Sequence, residues 1–193
     1  MRALSFFLVA ALVALSLFGC GGASKSLQTA DTGAIPEWFT SIPKDPNVFY
    51  AANTQVSQDL QLAIDKATQG ARTEISRMVE TKVTGLQTRF TEETGTSGNA
   101  QLLDMFTQAN KAVVSTALAG SRVSKQTQVK DGSSWRAYVL VEYPTGASTA
   151  ALMQQIKNNE QMYTRFRASQ TFKDLDDEVK KYEDWKKQQP PQQ

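Results

Sequence analysis

The side chains that most often do chemistry at neutral pH are scarce in this chain. Its 193 residues include no histidine and one cysteine, Cys20. Without histidine the chain lacks the commonest general base, the commonest metal ligand and the side chain that titrates near neutral pH. A lone cysteine makes no intrachain disulfide and no cysteine-built zinc or iron–sulfur site. Carboxylates remain. Glu92-Glu93 and Asp176-Asp177-Glu178 are the acidic runs. Two carboxylates held close together in a cleft could serve as acid and base on a glycosidic bond. The first run sits at a predicted helix end and the second on a charged helix face, so both read as solvated surface. Ser121 and Lys125 read as polar strand edge. Gly95-Thr96-Ser97-Gly98 lacks the lysine of a phosphate loop. The sequence predicts no catalytic residue, no metal site and no enzymatic activity.

Cys20 offers chemistry of another kind. Residues 1–19 read MRALSFFLVAALVALSLFG, with 15 of the 19 apolar and Arg2 the only charge. The uncharged run, residues 3–18, has 16 residues, fewer than the about 20 that cross a hydrocarbon core. Charge, apolar run and small residue in that order describe a secretory signal. The run stops at Leu17-Phe18-Gly19-Cys20, which resembles the bacterial lipobox. That resemblance implies cleavage between Gly19 and Cys20, a diacylglycerol on the Cys20 thiol and an N-acyl chain on the new N-terminus. No other cofactor is expected. Two or more acyl tails give stable anchoring. Gly21, rather than Asp, follows the cysteine. The resemblance then implies the outer membrane of a two-membrane bacterium, with the protein facing the periplasm or the cell surface. The other readings of this segment are a soluble secreted protein with a free thiol, or an uncleaved anchor.

The charges are balanced, 21 Lys and Arg against 19 Asp and Glu, or 20 against 19 without residues 1–19. That is too even for a nucleic-acid binder, and no nucleic-acid partner is expected.

Elements must present whatever the chain recognises. Residues 20–34, the lipidated cysteine and a run of small and polar residues, read as a flexible spacer. Residues 48–54, VFYAANT, read as a first strand. Ser57 reads as the N-cap of a long helix with an apolar stripe: Leu60, Ile64, Ala67, Ala71, Ile75, Val79, Val83, Leu86 and Phe90. A kink is expected near Gly85. A second helix from about Ala100 carries Leu102, Leu103, Phe106, Ala109, Val113 and Ala117. Residues 123–129 and 135–143 read as a hairpin turned at Asp131-Gly132. A third helix carries Leu152, Ile156, Tyr163 and Phe166, and a last amphipathic helix carries Phe172, Leu175, Val179, Tyr182 and Trp185. The fold expected is α+β: a small mixed three-stranded sheet, in the order β-α-α-β-β-α, with the helices on one face. The domains expected are a lipoprotein signal at 1–19, a lipidated spacer at 20–34, an α+β domain at 35–147, C-terminal helices at 148–187 and a disordered tail at 188–193.

Four stretches recur together in a known family: Pro36-Glu37-Trp38-Phe39, the strand VFYAAN at 48–53, the alanine-rich LAIDKATQGAR at 62–72 with its Ala71-Arg72 pair, and WRAYVLVEYP at 135–144. Over residues 36–144 the chain resembles the lipoprotein-20 family of bacterial outer-membrane lipoproteins, which is related to flagellar assembly proteins. The resemblance implies an envelope lipoprotein and carries over no enzymatic activity. Some members build rings or discs around the flagellar motor.

Trp38 and Phe39 either cap the core or dock a partner, and so do Tyr182 and Trp185. These four are the candidate partner-binding residues. The function expected is an outer-membrane-anchored lipoprotein with a structural or adaptor role, self-assembling or bound to envelope proteins, with a link to the flagellum. The alternative is a periplasmic ligand- or peptidoglycan-binding lipoprotein, with Trp38 or Tyr138 in a cleft.

Overall fold

A computed structural model describes residues 35–188. The signal segment 1–19 with Gly19, the spacer 20–34 with Cys20, and residues 189–193 lie outside the described residues. A short helix α1 (Glu37–Thr40) precedes strand β1 (Val48–Ser57). Helices α2 (Leu60–Glu93) and α3 (Ala100–Gly120) follow, then strands β2 (Arg122–Asp131) and β3 (Ser134–Pro144). Helices α4 (Thr145–Asn158), α5 (Glu160–Phe166) and α6 (Gln170–Gln188) complete the described chain. This is the expected α+β class in the expected order.

The sheet has the order β1-β3-β2. Ala51 lies opposite Val141 across one pair and Gln128 opposite Ala137 across the other, and both pairs are antiparallel. A mixed sheet was expected. It is antiparallel throughout because the α2–α3 hairpin returns the chain parallel to β1, and β3 then folds back into the gap between β1 and β2. Gly132, with φ +60°, holds the first of the two loop positions between Asp131 and Ser134, where a type II′ hairpin needs positive φ.

The long helix follows its apolar stripe. Ala63, Ala67, Ala71, Ile75, Val79, Val83, Leu86 and Phe90 are all buried, at the three-to-four spacing of one helix face. Its alanines let it lie close on the sheet. At Gly70 the fit is closer still, since a Cβ there would stand 2.6 Å from the Asn53 side chain. The helix is continuous through Gly85 and no break occurs at the expected kink. Asp59, not Ser57, is the N-cap: Leu62 N–H donates to its carboxylate at 2.7 Å. Ser57 is the last residue of β1, which runs three residues further than the pattern predicts.

Asn159 divides the expected third helix. Its side chain accepts from Met162 N–H at 3.0 Å and starts α5. The break rotates the face, so Met162 is buried and Tyr163, expected in the core, is 38% exposed. At the far end of the helical layer Phe90, Phe106 and Phe166 close on one another, with ring centroids 4.8 to 5.9 Å apart. Leu152, Ile156, Phe166 and Leu175 share one core with Val139 and Val141. The helices of residues 148–187 and the sheet therefore have a common interior.

Candidate functional site

The four candidate aromatics occupy two separate places. Trp38 and Phe39 lie on α1, and both are half-buried. Phe39 meets Tyr138 edge-on at 4.9 Å and Trp38 meets Phe39 at 6.2 Å. Tyr138 alternates with the core residues Ala137 and Val139 on β3, so it points to the face away from the long helices. This explains how Tyr138 and Leu140 are buried on that face as well. Phe39 covers Tyr138 there. Tyr138 is only 3% exposed, so of the two aromatics expected in a cleft it offers little surface to a ligand.

Tyr182 and Trp185 lie one turn apart on α6 with their rings stacked at 6.0 Å. Both are half-buried. Tyr182 lies on Gly146, in the first turn of α4, so closely that a Cβ at 146 would be 2.4 Å from the Tyr182 Cβ. With Pro46, Asn47, Glu178 and Lys181 they line a cleft of about 180 Å³. Burial pushes the neighbouring Tyr143 hydroxyl up to about 12, with the proximity of Tyr182 adding to the shift. Tyr143 belongs to the core face of β3, so the two aromatic pairs sit on opposite faces of the sheet. Tyr182 secures the last helix.

The acidic runs lie at the surface as expected, with Glu92, Glu93 and Asp177 exposed, and some of their carboxylates also join helices. Glu93, at the end of α2, accepts hydrogen bonds at the start of α6 from Gln170 N–H, from Thr171 N–H at 2.9 Å and from Thr171 Oγ1 at 2.8 Å. The two backbone donors, then the hydroxyl, hold its carboxyl below the usual glutamate range. Glu178 accepts from Lys82 Nζ and, at 2.9 Å, from Thr149 Oγ1, so it ties α2, α4 and α6 together. Asp176 pairs with Lys180 at 2.9 Å and Lys157 at 3.6 Å. Of these carboxylates Glu178 lines the cleft beside Tyr182. Ser41-Ile42-Pro43-Lys44 has the spacing of a serine–lysine motif, the nucleophile option that needs neither histidine nor cysteine. In a helix such a spacing would put both side chains on one face. Here Ser41 is the residue that ends α1, Pro43 follows, and Ser41 and Lys44 are exposed.

A depression of about 530 Å³ lies between the starts of α3 and α5 and is lined by Asn99, Gln101, Leu102, Glu160, Thr164 and Arg165. It has the size of a ligand pocket but not the apolar and aromatic lining that such pockets use. Among the described residues no group of three or more His, Cys, Asp or Glu side chains converges as a metal site would. No family model matches the chain, and no curated protein matches it.

Proposed function

We propose that the protein is an envelope lipoprotein anchored in the outer membrane through Cys20, with a structural or adaptor role. The observation that carries this reading is the position of the only cysteine, directly after the apolar run and Leu17-Phe18-Gly19. Among the described residues no helix is long and apolar enough to cross a membrane, so acyl chains on Cys20 would supply the attachment. The resemblance to the lipoprotein-20 family supports the same placement and adds the link to the flagellum. A domain whose conspicuous polar groups join helices to one another, as Glu93 and Glu178 do, suits a protein that works by position and contact.

The test is Cys20→Ser in the full chain, with labelled palmitate and cell fractionation. The parent is expected in the membrane pellet and labelled, the variant unlabelled and released. A variant that stays in the pellet as the parent does would overturn the anchor.

A further inference from the structure

We propose that β2 is an interface between two copies of this chain, whose sheets join edge to edge in antiparallel register centred on Gln128. The inference rests on the structural-protein reading and names the partner: a second copy.

β2 is an outer strand that pairs only with β3. No helix covers it. Gln126, Gln128 and Lys130 are exposed, while Val139 and Ala137, opposite the first two, are fully buried. β2 therefore offers a free edge, and the helix layer does not overhang it. The bulge between Val123 and Lys125 bends the start of the strand away from pairing, which leaves residues 125–131 as a regular edge. Exposed lysines and bulges guard edges against indiscriminate pairing. The charges here also select one register.

Two identical antiparallel strands related by a two-fold axis normal to the sheet must place one residue opposite itself, because opposed side chains share a face. Three centres lie near the middle of the strand. A centre at Gln126 lets only Lys125 and Thr127 oppose each other within that regular edge, and opposes no charges. A centre at Thr127 opposes no charges to one another. A centre at Gln128 sets Lys125 against Asp131 twice and Thr127 against Val129 twice, with Gln126 against Lys130. Opposite charges and β-branched pairs facing one another across strands are favourable, and like charges are not. Asp131 is ready for this contact. Arg136 Nε and Nη2 both donate to its Oδ2, at 3.1 and 2.6 Å. Its Oδ1 accepts nothing among the described residues, so it is open to Lys125 of the second copy. Lys125 forms no ion pair among the described residues and is exposed. The joined sheet would have six strands.

The test is cysteine substitution in the purified full-length chain, oxidised after solubilisation in mild detergent. Opposed residues of antiparallel strands have Cα atoms about 4.5–5.5 Å apart, within disulfide reach. Gln128→Cys is expected to give a disulfide-linked dimer. Gln126→Cys and Lys130→Cys, whose thiols lie out of reach of their own copies, should give no more than the parent. Adding Lys125→Asp to Gln128→Cys should abolish the dimer, since it opposes two aspartates. No dimer at 128 overturns the proposal, and so does equal linking at 126, 128 and 130. Fractionation of the same cells reads the anchor separately: a membrane-bound chain without the 128 dimer refutes the interface and leaves the proposed function standing.

Discussion

Gly146 shows how one residue can set the position of an element far along the chain. An alanine Cβ there would stand 2.4 Å from the Cβ of Tyr182 and 2.6 Å from its Cγ. Rotation about χ1 moves Cγ but leaves Cβ where it is, so a backbone must shift. Overpacking of this kind costs about 1–3 kcal/mol. Replacing a helical glycine returns at most about 1 kcal/mol, so Gly146→Ala should be a net loss. The expected outcome is a lower urea midpoint with faster amide exchange over residues 170–188. Unchanged exchange there would show that Tyr182 does not dock α6. Gly70→Ala is milder in kind, because it meets the end of the Asn53 side chain, which can turn. Neither glycine announces this in the sequence. Gly146 lies beside a predicted helix start, and Tyr182 is visible only as a member of an apolar stripe. That the two touch is a property of the folded chain.

Elements were legible where periodicity governs them and illegible where a partner distant in sequence does. At the start of α2, Ala63 is buried and the expected Leu60 and Ile64 are half-buried. The stripe from Ala67 to Phe90 and the alternation of Trp135 to Tyr143 read correctly, because helix period and strand alternation are local. The end of α2 did not. Glu93 looked like spare charge at a helix terminus, yet it caps α6 from 77 residues away. A carboxylate at a helix N-terminus favours both the free N–H groups and the helix dipole. The same bonds hold the Glu93 carboxyl below its ordinary value. A carboxyl lowered in the folded state adds stability above its unfolded value and loses it as pH falls through the folded one. Glu93→Gln should therefore melt below the parent at neutral pH, and the gap should close on acidification below the ordinary glutamate range. Thermal melts across that range decide it. A gap that does not change with pH would mean that the charge of Glu93 does not hold the cap.

At the scale of the whole molecule, the sequence suggested a break near residue 147, where the family resemblance ends and the C-terminal helices begin. The core does not divide there. Leu152, Ile156, Met162, Phe166 and Leu175 are each at most 1% exposed, and they pack in one cluster with Ala71, Val113 and Val141. A resemblance marks where two sequences stay alike, whereas a domain boundary depends on where few contacts cross. The two need not coincide. A chain ending at residue 147 would leave Phe90 and Phe106 without Phe166, Glu93 without the helix it caps, and Lys82 without Glu178. Each loss of a buried large side chain costs about 2–5 kcal/mol, and native domains are stable by only about 5–15 kcal/mol. Several such losses together exceed that margin. The truncated chain should keep helical far-UV dichroism, lose its near-UV signal and bind a hydrophobic dye, as a compact state without fixed packing does. Cooperative unfolding by the truncated chain, with native near-UV dichroism, would instead establish 35–147 as a domain in its own right and the last helices as an addition to it.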